Sequence, residues 1–182
     1  MIEIEQKYVV DDLQGFVRRL VDAGATEGRT EHHEDHYFNH PAKDFAETGE
    51  AFRIRVVDGA ASVTYKGPKL PGDIKAREER EWSLGPEDAD GRRWRDLLTT
   101  LDFRPVATVR KTRRTFRLNG LTVTADAVAD LGSYAEIETV VSGPDDVPSA
   151  RRRIAESAAS LGLEHPEARS YLRLLLAGRG EG

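Results

Sequence analysis

The chain has 182 residues, 38% of them hydrophobic and 32% charged, with a formal net charge of -5 at pH 7 and no cysteine. That length suits a single domain over residues 1–182, with enough apolar material for its own core. The acidic balance argues against a protein that coats nucleic acid, and the missing thiols exclude disulfides, thiolate nucleophiles and Cys-ligated zinc.

No apolar run approaches the length of a membrane span. The opening Met1-Ile2-Glu3-Ile4-Glu5 lacks the basic start and apolar stretch of a signal peptide. The expectation is a cytoplasmic protein with neither membrane nor nucleic acid as partner.

Residues 2–10 alternate apolar and charged side chains, which predicts a strand. Asp11 and Asp12 offer a cap to a helix carrying Leu13, Phe16, Val17, Leu20 and Val21, closed by Gly24. A strand over 30–38 precedes a polar loop, 39–49. Strands over 52–57 and 62–66 flank the hairpin signal Asp58-Gly59. Residues 67–72, with two prolines and two glycines, read as a mobile loop.

A strand over 77–84 leads to a helix opened by Pro86, with an apolar stripe of Trp94, Leu97, Leu98 and Leu101. Strands follow over 108–118, 121–128 and 133–141, the first two joined by Asn119-Gly120, where both residues tolerate positive φ. Helices over 148–161 and 171–176 finish the chain. About eight strands joined mostly by hairpins predict a mainly β (α+β) fold, an eight-stranded antiparallel β-barrel with helices packed outside.

On a strand, residues i and i+2 share a face. Glu3, Glu5 and Lys7 therefore share one, as do Arg53 and Arg55, then Arg77, Glu79 and Glu81, then Lys111 and Arg113, then Glu136 and Glu138. Lys66 and Asp126 sit on strands of their own. Any single pair is ordinary solvated charge. Strands charged on both sides, such as that holding Glu78 and Arg80 beside Glu79, fit a barrel with a wet, polar interior better. Acids gathered inside need cations, and Glu3, Glu5, Asp126, Glu136 and Glu138 are the oxygen donors that hard divalent ions such as Mg²⁺ or Mn²⁺ prefer. Lys7, Arg53, Arg55, Lys66, Arg77, Lys111 and Arg113 would overwhelm a monophosphate and suit a linear anion of about four charges, a small-molecule triphosphate. No glycine-rich phosphate loop is present.

Glu3-Ile4-Glu5-Gln6-Lys7 resembles the ExExK signature of the CYTH superfamily, the triphosphate tunnel metalloenzymes, which include class IV adenylate cyclases and thiamine triphosphatases. The resemblance continues in order through Asp35-His36-Tyr37-Phe38, Phe52-Arg53-Ile54-Arg55, Thr64-Tyr65-Lys66-Gly67-Pro68, Arg77-Glu78-Glu79-Arg80-Glu81, Val109-Arg110-Lys111-Thr112-Arg113, Asp126 and the stretch from Leu131 to Glu138. Arg169-Ser170-Tyr171 is similar to the tail of the class IV cyclases. The resemblance implies a single CYTH domain forming an eight-stranded tunnel. It implies that Glu3, Glu5, Asp126, Glu136 and Glu138 hold Mg²⁺ or Mn²⁺, and that Lys7, Arg53, Arg55, Lys66, Lys111 and Arg113 grip the triphosphate. Glu79 and Glu81 bind either metal or the organic part of the substrate. Lys111 and Tyr37 are candidates for moving a proton, and Glu5 is a candidate catalytic residue. By analogy with relatives, a homodimer is suggested.

The leading expectation is conversion of ATP to cyclic AMP and pyrophosphate. Hydrolysis of tripolyphosphate, thiamine triphosphate or a nucleoside triphosphate is the alternative, and a non-catalytic polyphosphate- or nucleotide-binding module is a third. A barrel of internal salt bridges that binds nothing is a fourth, weakened because buried ion pairs seldom repay their desolvation. His32, Glu34 and His36 share a strand face that could suggest a metal site, but they are expected to point outward if Asp35 and Tyr37 point in. Arg151-Arg152-Arg153 reads as a solvated helix face.

Overall fold

The computed structural model describes residues 1–180. Among them, eight strands alternate with short helices: β1 (Ile2–Val9), α1 (Leu13–Asp22), β2 (Thr26–Asn39), α2 (Phe45–Thr48), β3 (Ala51–Val57), β4 (Ala60–Lys66), β5 (Lys75–Ser83), α3 (Arg92–Thr100), β6 (Arg104–Leu118), β7 (Leu121–Val128), β8 (Gly132–Val141), α4 (Val147–Ser160) and α5 (Tyr171–Gly178). The strands close into an antiparallel barrel in the order β1-β5-β4-β3-β2-β6-β7-β8. The expected eight-stranded architecture is therefore the observed one. No helix of the described residues is long and apolar enough to cross a membrane.

Because charged residues alternate inward, the apolar core lies outside the barrel wall. Ile4, Val123, Ala135 and Ile137 on β1, β7 and β8 pack against Phe16 and Leu20 of α1 and Ile154 and Ala158 of α4. A second cluster joins Tyr37, Val109 and Tyr134 to Tyr171, Leu174 and Leu175 of α5, so α5 covers one end of the barrel. A third sets Leu98 of α3 on Phe38, Ile54 and Val63. The Asp12 carboxylate accepts from Gly15 N–H at 2.8 Å and caps α1, as the sequence suggests.

Several boundaries differ from expectation. β2 starts at Thr26, β5 at Lys75 and β6 at Arg104; the β2–β6 pairing absorbs register shifts between Glu27 and Thr30 and between Tyr37 and Phe38. Pro86 lies in a 3₁₀ turn, Pro86–Asp88. The Asp88 carboxylate accepts from the backbone N–H groups of Arg93 and Trp94 at 3.0 Å, which delays α3 to Arg92. Of the expected stripe on α3 only Leu98 is buried; Trp94, Leu97 and Leu101 are exposed. The loop 67–72, expected to be mobile, is tied to its own hairpin by Gly67 N–H to Glu78 O and Leu70 N–H to Ala76 O.

Ile154 is fully buried between α4 and the barrel, whereas Leu101 is 55% exposed. Ile154→Ala is expected to destabilise the fold by about 3 kcal/mol in urea unfolding, and Leu101→Ala by less than about 1 kcal/mol. Equal effects would mean that α4 does not cover the main core.

Candidate active site inside the barrel

Strand register decides which side chains meet. Glu5 lies opposite Glu138 on β8 and opposite Lys75 on β5. Lys7 lies opposite Glu136, Arg113 opposite Asp126, and Asp35 opposite Arg55. The inward faces enclose a cavity of about 780 Å³ lined by ten basic and eight acidic side chains. Asp35 and Asp126, buried behind the lining and paired with its bases, bring the interior close to charge balance, so the chain's net charge of -5 lies on the outer surface.

At one place the carboxylate oxygens of Glu3, Glu5 and Glu138 all lie within 4.8 Å of one another. Burial raises the Glu3 carboxyl well above the usual carboxylate range; Lys66 opposes this, and the charges of Glu5 and Glu79 add to it. Burial also raises Glu138. At Glu5 burial acts the same way, but Lys66, Lys75, Arg77 and Lys7 outweigh it and hold the group well below its usual range. Convergent oxygen donors that resist ionising together are the donor set a hard divalent cation satisfies. Lys66 bridges Glu3 at 2.5 Å and Glu79 at 2.6 Å, and Glu81 accepts from Thr64 Oγ1 at 2.8 Å.

Two further charge clusters stiffen the wall. Asp35 accepts from Arg55 Nε at 2.6 Å and Nη2 at 2.9 Å and from Arg53 Nη1 at 3.3 Å, with Lys111 Nζ 3.6 Å away. Burial would raise Asp35, but Arg53, Arg55 and Lys111 hold it well below its usual range. Arg113 makes a fork onto Asp126, with Nε to Oδ1 at 2.7 Å and Nη2 to Oδ2 at 2.5 Å, and also donates to Glu136. The Tyr171 hydroxyl donates to Asp126 at 2.8 Å. Burial, then the charge of Arg113, lowers Lys111 to about 7 against the pull of Asp35. Among the described residues, the buried Nε–H groups of Arg53 and Arg77 have no hydrogen-bond partner. Buried donors of that kind call for an explanation, and an anionic ligand supplies one.

Of the five acids expected to gather, Glu3, Glu5 and Glu138 converge. Glu136 lines the cavity but is engaged by Arg113, and Asp126 is fully buried beneath it, off the lining. Their register opposite Lys7 and Arg113 is the cause. Lys7, Arg53, Arg55, Lys66, Arg77, Lys111, Arg113, Tyr37, Glu79 and Glu81 all line the cavity. The Tyr37 hydroxyl accepts from Arg53 Nη1 at 3.2 Å. His36 packs outward against Thr108 and Arg95, and His32 lies on the exposed side beside Thr112. Sequence reasoning missed Lys75, Lys69 and Arg173. Lys75 continues the alternation of Arg77, Glu79 and Glu81 one step earlier and was legible; Lys69 and Arg173 lie on a loop and a helix, where alternation gives no signal. Asp35 was legible as inward, but not its role as the counter-charge of three cations.

Lys111 is 6% exposed and its ammonium is disfavoured. A lowered lysine pKa means the folded chain holds fewer protons than the unfolded one between about 7 and 10.5. The stability penalty is thus full below pH 7 and fades as pH rises through that window. Lys111→Met is expected to stabilise the protein on the order of 2 kcal/mol at pH 6 and by less at pH 9 in chemical denaturation. Destabilisation at both pH values would contradict the assigned environment.

The profile of the CYTH domain matches residues 1–171. An adenylate cyclase, so named provisionally, of Methanocaldococcus jannaschii is 34% identical over 176 residues, 96% of this chain and 98% of that protein. The adenylate cyclase CyaB of Aeromonas hydrophila is 27% identical, over 94% and 87% of the two chains. The solved PH1819 protein of Pyrococcus horikoshii superposes with a TM-score of 0.89 at 37% identity, covering 97% of this chain and 99% of that one. Eight strands, an inward-facing acid trio and a basic wall thus come with a profile match over nearly the whole length: this chain belongs to the CYTH domain family.

Proposed function

We propose that the protein is a metal-dependent enzyme that binds ATP by its triphosphate inside the barrel and converts it to cyclic AMP and pyrophosphate. The observation that carries this reading is the presence of two charge sets on the lining of one cavity. Glu3, Glu5 and Glu138 converge within 4.8 Å, and Arg53 and Arg77 on the same lining keep unpaired buried donors. The names of the M. jannaschii and A. hydrophila relatives support the cyclase form of the reaction.

Mg²⁺ or Mn²⁺ held by Glu3, Glu5 and Glu138 would supply positive charge to the phosphoryl oxygens. The chain's own groups do the rest. Arg53 and Arg55, fixed by Asp35, and Lys7, Lys66 and Arg77 neutralise and align the triphosphate. Tyr37 steadies the Arg53 guanidinium through its hydroxyl. In the reaction the ribose O3′ bonds to the α-phosphorus, the bond from that phosphorus to the bridging oxygen breaks, and pyrophosphate leaves with the electron pair. The proton of the 3′-hydroxyl passes to Lys111, whose lowered pKa leaves a useful fraction as the neutral amine near pH 7.

Incubation with ATP and Mg²⁺ or Mn²⁺ should yield cyclic AMP and pyrophosphate; orthophosphate as the product would replace this reading with hydrolysis. Glu5→Gln and Glu138→Gln are each expected to lower metal-dependent turnover at least about 100-fold while thermal stability holds. Unchanged rates in both would sink the metal assignment. The plot of kcat/KM against pH should rise through about 7, the rising direction being that of a base losing its proton, and Lys111→Arg should remove that limb.

A further inference from the structure

The loop between β4 and β5 carries Lys69 to the cavity lining, where it joins Lys75 and Arg77 of β5 and Arg173 of α5. Lys75 and Arg77 share the single carboxylate of Glu5, at 3.3 and 3.8 Å. Lys69 and Arg173 have no carboxylate partner among the described residues. Arg173 instead donates to the carbonyl of Ala46. Burial, then the like charges of Lys75, Arg77 and Arg173, lowers the Lys69 ammonium; Lys69 and Arg173 themselves are exposed, within reach of an entering anion.

Beyond the hairpin's own bonds at Gly67 and Leu70, the loop is held from outside the barrel. Arg151, on the α4 face that the sequence marks only as solvated, does not line the cavity. Its Nε donates to Ile74 O at 2.9 Å and its Nη2 to Pro71 O at 2.8 Å. One planar guanidinium thus grips two carbonyls on the segment between Lys69 and Lys75. Gly72, at φ +131, sits against that guanidinium: a Cβ there would lie 2.1 Å from Nη1. A bare Cα is what lets the arginine close on the loop.

We propose that the β4–β5 loop is an anion-binding flap at the α5 end of the cavity, in which Lys69 and Arg173 take phosphoryl oxygens at one end of the bound triphosphate, and that Arg151 is the positioning residue that holds the flap in place. This rests on the triphosphate reading of the cavity, and extends it to a loop and two helices outside the alternating strand positions. The charge at Lys69 is useful only while the loop is held, so an arginine remote from the cavity controls affinity. A lysine at 151 keeps the charge but cannot make the two-pronged grip.

Isothermal titration of the full chain with inorganic tripolyphosphate in the presence of Mg²⁺ tests this apart from any turnover. Lys69→Ala and Arg151→Ala should each weaken binding roughly tenfold, the loss of one charge-assisted contact. The double variant should be no weaker than either single one, because Arg151 acts through Lys69. Gly72→Ala should reproduce Arg151→Ala by breaking the same contact from the other side, and Arg151→Lys should not rescue. Melting temperatures without the anion should stay close to wild type. Wild-type affinity in Arg151→Ala, or additive losses in the double variant, would overturn the flap while leaving the triphosphate reading intact. If Arg151→Ala does not fold, Gly72→Ala decides by the same criteria. No tripolyphosphate binding by the wild-type protein would overturn both.

Discussion

Side-chain alternation in a closed antiparallel barrel is the constraint on which the rest depends. Once eight strands close, every second residue is committed to a shared interior. Here those positions carry Glu3, Glu5, Lys7, Asp35, Arg53, Arg55, Lys66, Arg77, Lys111, Arg113 and Glu138, so the interior cannot serve as a dry core. The apolar core moves to the opposite face, where Ile4, Val123, Ile137 and Ile154 meet under α1 and α4. Helices outside and charge inside are two results of one pattern.

Confining that many charges works against stability, and the structure offsets it locally. Asp35 gathers Arg53, Arg55 and Lys111; Asp126 and Glu136 gather around Arg113. Buried pairs of this kind return little net stability but fix geometry. The guanidinium forks are oriented in advance, so little reorganisation remains when an anion enters. What stays unbalanced among the described residues, the acid trio and the unpaired Nε donors of Arg53 and of Arg77 beside the trio, is then available for function. Lys111 shows the trade plainly: the environment that lowers it to about 7 is poor for folding and suited to proton transfer.

The barrel was legible because period-two alternation is readable in strands such as β1 and β3 and hairpin turns such as Asn119-Gly120 punctuate the strands. Most of the lining followed from the same rule. What escaped did so for physical reasons. Asp126 and Glu136 look like further metal donors from their strand positions, but only register shows that Arg113 reaches both. The stripe on α3 suggested a packed face, yet its start is set by the Asp88 cap, and only Leu98 meets the wall. Lys69 and Arg173 belong to a loop and a helix end, and their approach to the cavity depends on chain folding far from either. Arg151 reads as solvent-facing until its carbonyl partners are known.

The most direct measurement is a crystal structure of the protein grown with Mn²⁺ and tripolyphosphate, with anomalous diffraction used to place the metal. The expected result is a manganese peak among the carboxylates of Glu3, Glu5 and Glu138, with phosphate density against Lys7, Arg55 and Lys111. Manganese and polyphosphate confined to the outer surface, with the barrel interior unchanged, would contradict the claim that this charged interior is a triphosphate site.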